Sequence, residues 1–129
     1  MLDHLSITAT DLDRAQTFYD AALGALDYPR VNRRPNAIGY GVRERAPGAA
    51  SYISIYLCTG RLLPDNRHWA FRASSRAAVR AFHAAALSHG GTDDGAPGPR
   101  PQYHADYHAA FVRDPDGNRI EAVTHQRED

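Results

Sequence analysis

Two histidines and one glutamate carry the most pointed chemistry in this sequence. His4 and His68 each open a short alternating stretch, and Glu121 lies in a third. Two imidazoles and a carboxylate on one side of a divalent cation leave coordination positions open for water or substrate. That donor set suits iron, manganese, nickel, cobalt or zinc without choosing between them. Taken singly, each residue has a plainer reading. A strand histidine is ordinarily a surface or hydrogen-bonded residue, and a glutamate after a tight turn ordinarily lies on a solvated face. Two features weigh against the plain reading. Glutamate is scarce, with only Glu44, Glu121 and Glu128 in 129 residues. The two histidines also hold the same place in an internal repeat.

Shifting the chain by 64 residues sets HLSITATDLDRAQTFYDAAL (4–23) over HWAFRASSRAAVRAFHAAAL (68–87), with six identities in twenty positions. The alanine matches count for little in an alanine-rich chain, whereas His4/His68 and Phe18/Phe82 count for more. Each copy opens as a strand. Leu5 and Ile7 alternate with His4, Ser6 and Thr8, and Trp69 and Phe71 alternate with His68, Ala70 and Arg72. The apolar faces pack on a helix, which puts both histidines on the opposite faces. Thr10-Asp11 and Ser74-Ser75 are helix caps. Leu12, Ala15, Phe18, Tyr19, Ala22 and Leu23, then Val79, Phe82, Ala86 and Leu87, follow at helical spacing. Gly24 and Gly90-Gly91 end the helices.

Strands are expected at Ala37–Val42 and Tyr52–Cys58 around a turn-rich Arg43–Ala50, with a weaker one near Tyr28–Arg33. In the second half they fall at Tyr107–Arg113 and Arg119–Thr124, joined by the tight turn Asp114-Pro115-Asp116-Gly117-Asn118. Gly95–Pro101 reads as a rigid irregular loop, and Arg61–Arg67 connects the halves. The chain is thus an α+β fold of two βαβββ modules, about 1–60 and 65–129, in one domain. In the last strand Arg119, Glu121 and Val123 share a face, so His4, His68 and Glu121 converge if the sheets fold around a common cavity.

Composition removes other function classes. Fifteen basic and fifteen acidic residues cancel, so no basic stripe points to nucleic acid or to an anionic membrane surface. Every basic residue is arginine, which excludes Schiff-base and P-loop lysine chemistry. The lone Cys58 permits no intrachain disulfide and reads as a small buried residue. No apolar run reaches the roughly 18 residues of a membrane span, and the first residues do not form a signal peptide. A soluble cytoplasmic protein is the expectation.

The repeats, together with FVRDPDGNRIEAV, resemble the vicinal oxygen chelate superfamily, which includes glyoxalase I, fosfomycin- and bleomycin-resistance proteins and extradiol dioxygenases. The D-P-D-G-N-x-I-E ending is its most specific piece. The resemblance implies paired modules forming a cupped mixed sheet around one divalent metal ion held by His4, His68 and Glu121. It also implies a small-molecule substrate and a homodimer, in some members with the site shared between chains. A glyoxalase-like lyase or isomerase is the favoured reading. The alternatives are an extradiol-type dioxygenase and a non-catalytic, bleomycin-resistance-like binding protein. Each meets a departure. Glyoxalase I takes a fourth ligand, a carboxylate, from the last strand of the first module, where this chain has YISIYLC. The dioxygenases place a tyrosine where this chain has Phe111. The fosfomycin enzymes use lysine, which is absent here.

Around this triad, Tyr103, His104 and Tyr107 are candidate proton-transfer groups on a loop before the last hairpin; the plain alternative is a loop anchored by tyrosine packing. Tyr56, Arg72, Phe111 and Arg119 are candidate substrate-binding residues, the arginines for an anionic substrate. His83, His89 and His125 read as surface residues.

Overall fold

A computed structural model describes residues 4–41, 52–58 and 67–128. The element order is β1 (His4–Ala9), α1 (Leu12–Gly24), β2 (Arg30–Arg34), β3 (Ala37–Gly41) and β4 (Tyr52–Leu57). The second half runs β5 (His68–Arg72), α2 (Arg76–Ser88), β6 (Thr92–Pro99), β7 (His108–Arg113) and β8 (Arg119–Thr124). The first sheet has the order β1-β4-β3-β2 and the second β5-β8-β7-β6. In each, the first strand runs parallel to the last and the other pairs are antiparallel. The repeat is therefore a repeat of topology, βαβββ twice. The Arg43–Ala50 turn, Val42 and most of the Arg61–Arg67 connection lie outside the described residues.

The helix ends follow from their caps. Asp11 accepts from the Arg14 backbone N–H and Ser75 from that of Ala78, so each satisfies one of the orphan donors of a first turn. At its other end α1 does not stop on a left-handed glycine. Gly24 is its last residue, Ala25 keeps helical angles (φ −64°), and Asp27 takes the left-handed conformation (φ 65°).

Gly95–Pro101 corrects the sequence reading: Thr92–Pro99 is a strand. Prolines and glycines there break the regular ladder, and the pairing with β7 shifts register twice. An edge strand needs hydrogen bonds on one side only, so it tolerates residues that a central strand would not. Arg100 laces this edge, donating to the carbonyls of Ala96, Gly98 and Pro99. The corresponding edge of the first sheet, β2, is exposed throughout and carries three arginines, a charged edge of the kind that discourages further strand pairing.

α1 packs on β3 and β4, α2 on β6, β7 and β8, and the two helices on each other. Ile7, Phe18, Tyr19, Ile38, Phe71, Val79, Phe82, Val112 and Ile120 belong to one buried cluster spanning both modules. Trp69 is only partly buried against it, and Cys58 is likewise partly exposed. The helix-side faces of both sheets are thus used up in this core. The other faces stay open: His4, Ser6 and Thr8 on β1 and His68, Ala70 and Arg72 on β5 are all exposed. No helix among the described residues is long and apolar enough to cross a membrane.

Candidate functional site

The open face of the second sheet carries a cluster of its own. Ala109, Phe111 and Val123 are buried there, with Tyr107 packed against them. Parallel pairing sets His68 beside Arg119 and Ala70 beside Glu121, while antiparallel pairing sets Phe111 beside Glu121. Glu121 is 2% exposed. Its Oε1 lies 2.9 Å from His68 Nε2, and its Oε2 accepts from the Tyr107 hydroxyl. Burial, and then the hydrogen bond to Glu121, push the Tyr107 phenol well above its ordinary pKa, so it stays a donor and fixes the carboxylate.

Above Tyr107 sit three aromatic neighbours. Tyr103 lies 4.9 Å from its ring centroid, His104 5.4 Å and His125 5.2 Å. His104 Nδ1 accepts from the Asp106 backbone N–H, which leaves the proton of a neutral ring on Nε2. That nitrogen is 2.7 Å from His125 Nδ1. His125 is exposed, as the sequence reading has it, but it is also a member of this cluster. No sequence signal marked it, because it enters through a tertiary contact with His104. His83, read as a surface residue, is mostly buried and bonds Asp93 at 2.8 Å.

Two other candidates, His4 and Tyr56, lie on the first sheet. His4 heads β1 in the first sheet, at the position equivalent to His68. Among the described residues no three His, Cys, Asp or Glu side chains gather closely enough to hold a metal ion, so His68 and Glu121 are together and His4 is not with them. Tyr56, on β4, is partly exposed with the Arg34 guanidinium 5.9 Å from its ring. Ser54, two residues before it, is buried. Arg72 is exposed at the end of β5. Phe111 packs between charges, with the Arg119 guanidinium 4.2 Å from its ring centroid, Arg100 at 5.5 Å and the His68 ring at 6.0 Å.

A pocket of about 330 Å³ adjoins His68, lined among the described residues by Arg67, His68, Asp94, Arg113 and Arg119. Sequence reasoning named only Arg119 and His68 of these. A signal for Arg113 was present: a five-residue turn between Arg113 and Arg119 sets them opposite each other on one face.

The family model of the Glyoxalase/Bleomycin resistance protein/Dioxygenase superfamily matches residues 1–122. The chain belongs to this superfamily. No curated protein matches it. Among solved structures, a glyoxalase/bleomycin resistance protein from Albidiferax ferrireducens is similar at 31% identity and TM-score 0.81, over 95% of this chain and 98% of that one. A glyoxalase-related enzyme from Fulvimarina pelagi shares the fold at 17% identity and TM-score 0.71, over 95% and 86% of the two chains. So does a lactoylglutathione lyase from Agrobacterium tumefaciens, at 18% identity and TM-score 0.65, over 95% and 92%.

Proposed function

We propose that this protein is a divalent-metal-dependent enzyme that binds a small substrate through two adjacent oxygens, acting as a glyoxalase-like lyase or isomerase. The observation that supports it most directly is the buried Glu121 carboxylate against His68 Nε2. Both atoms are lone-pair donors, and at 2.9 Å a proton must bridge them; a cation fulfils the same electrostatic need. Tyr107 restrains the second carboxylate oxygen, the kind of outer contact that orients a metal ligand. The donor set therefore fits a metal, which His68 and Glu121 would hold with His4 as a third ligand. Within one chain His4 is not gathered with them, so it would come from a second copy, in a homodimer that sets the first sheet of one protomer against the second sheet of its partner.

When bound, the metal supplies Lewis-acid stabilisation to a substrate oxygen that gains negative charge. The chain's own residues do the rest. Phe111 and Val123 give the site an apolar floor that limits water. His104, with its tautomer set by Asp106 and His125, moves a proton at the mouth of the site, and Tyr103 lies beside it. Tyr56 and Arg72, exposed on their strands, and Arg119 and Phe111, beside His68, contact substrate.

Metal analysis by mass spectrometry, with solution mass, tests this reading. Purified wild type is expected as a dimer with near-stoichiometric metal, and His4→Ala and Glu121→Gln as dimers without it. Undiminished metal in Glu121→Gln sinks the assignment. Nickel, cobalt or zinc in the wild type fits the lyase or isomerase; iron with oxygen uptake replaces it by the dioxygenase. A metal-free dimer that binds an aromatic ligand replaces it by a binding protein.

A further inference from the structure

The arginine pocket beside His68 has chemistry that metal binding does not use. Among the described residues that line it, Arg67, Arg113 and Arg119 set three guanidinium groups against one carboxylate, that of Asp94, a formal excess of two positive charges. One oxygen of Asp94 serves two of them, at 3.2 Å from Arg113 Nε and 2.8 Å from Arg119 Nε. Arg113 spends Nη1 on the Gly117 carbonyl. Arg67 spends Nη2 on the Asp116 carbonyl at 3.2 Å, while its Nη1 is buried without a hydrogen-bond partner among the described residues. A buried charged N–H without an acceptor is costly. An anion in the pocket offsets part of the mutual repulsion of the guanidinium groups.

The geometry is also held by backbone. Arg113 and Arg119 face each other across β7 and β8, and the Arg67 carbonyl accepts from the Arg119 N–H at 2.8 Å. The Phe111 ring lies against the Arg119 guanidinium, which restrains it by cation–π contact. A cavity of about 330 Å³ is at the small end of ligand pockets. It admits a small group rather than a cofactor.

We infer that this pocket binds an oxyanion group of the substrate, a carboxylate or a phosphoryl group, next to His68. Guanidinium forks match both groups in the same bidentate manner. The inference rests on the reading of His68 and Glu121 as the reaction site, and it makes the substrate an anion.

Calorimetric titration of the full-length protein with inorganic phosphate and, separately, with malonate tests it, at fixed low ionic strength and with metal content measured in each sample. At least one of the two is expected to bind wild type, and which one tells phosphoryl from carboxylate. Arg67→Gln and Arg113→Gln are expected to weaken that binding about tenfold or more with metal content unchanged. Glu121→Gln is expected to lose metal and keep the anion. Should Arg67→Gln melt early through loss of its bond to Asp116, Arg113→Gln decides. Absence of binding by both anions, or undiminished binding in the arginine variants, overturns the pocket whatever the metal result. Anion binding in a protein that takes up no metal leaves the pocket standing and removes the metal reading.

Discussion

At the residue scale, the behaviour of each histidine is decided by what its ring nitrogens meet. His68 meets a buried carboxylate, His104 meets His125, and His108 meets nothing: it is 9% exposed, and neither ring nitrogen has a hydrogen-bond partner among the described residues. Burial, helped by Arg76, Arg80 and Arg100, lowers its pKa. As pH falls below the ordinary histidine value of about 6.5, the unfolded chain takes up a proton that the folded one resists. The stability held by His108 is thus full above that value and is lost as pH falls toward its lowered one. We expect His108→Leu to be at least as stable as wild type near neutral pH, since it removes a buried unsatisfied polar group. It should also flatten the acid side of the stability profile. Urea midpoints at a series of pH values check this, and an unchanged difference between the two proteins across the series contradicts it. Asp93 shows the opposite case on the surface. The His83 hydrogen bond lowers its pKa, so His83→Ala should raise the midpoint of Asp93 in a carboxyl NMR titration. None of these environments could be read from residue type, because each depends on a neighbour from another element.

At the scale of elements, the hairpin Asp114–Asn118 is more than a turn. Asp114 is 4% exposed and accepts from the Tyr19 hydroxyl, the Asn118 side chain and the backbone N–H groups of Asp116 and Asn118. Its carboxyl is pushed up by burial even though these donors pull the other way. Asp116 reaches across to Thr10, accepting from both its N–H and its hydroxyl. Asn118 donates to the Thr8 carbonyl. Gly117 takes a left-handed φ of 83° that the tight turn requires. The hairpin therefore clamps the start of β8, with Arg119 and Glu121, to the first module. Asp116→Ala should cost about 1–2 kcal/mol, as the loss of a cap does. Asp114→Ala should cost about 3 kcal/mol or more, since several buried donors lose their acceptor. Thermal or denaturant melts measure both, and equal stabilities would falsify the clamp. The turn itself was legible as D-P-D-G-N. Its grip on Thr8, Thr10 and Tyr19 was not, because those partners lie about a hundred residues away. The strand at Thr92–Pro99 was hidden for a related reason: only an edge position makes two prolines tolerable there.

At the scale of the whole molecule, the two modules share one core on their helix sides and leave two open faces. His4 is on one of these, and His68 and Glu121 are on the other. A shared site in a twofold dimer then predicts complementation. His4→Ala and Glu121→Gln homodimers each lack a complete donor set. In the mixed dimer the first variant contributes His68 and Glu121, and the second contributes His4. Mixing the two after partial unfolding and refolding should restore metal that neither holds alone; a mixture as empty as its parents excludes sharing between chains. The repeat of topology, the helix cores and the alternation that turns His4, His68 and Glu121 away from those cores all followed from the sequence. They depend on short-range periodicity and capping, which local residue order encodes. The pairing of Glu121 with Tyr107 and His68, the arginine pocket, the entry of His125 and the separation of His4 from its fellow candidates were decided only by tertiary structure. Those depend on which faces the common core consumes and on register between distant strands, and no local pattern carries that information.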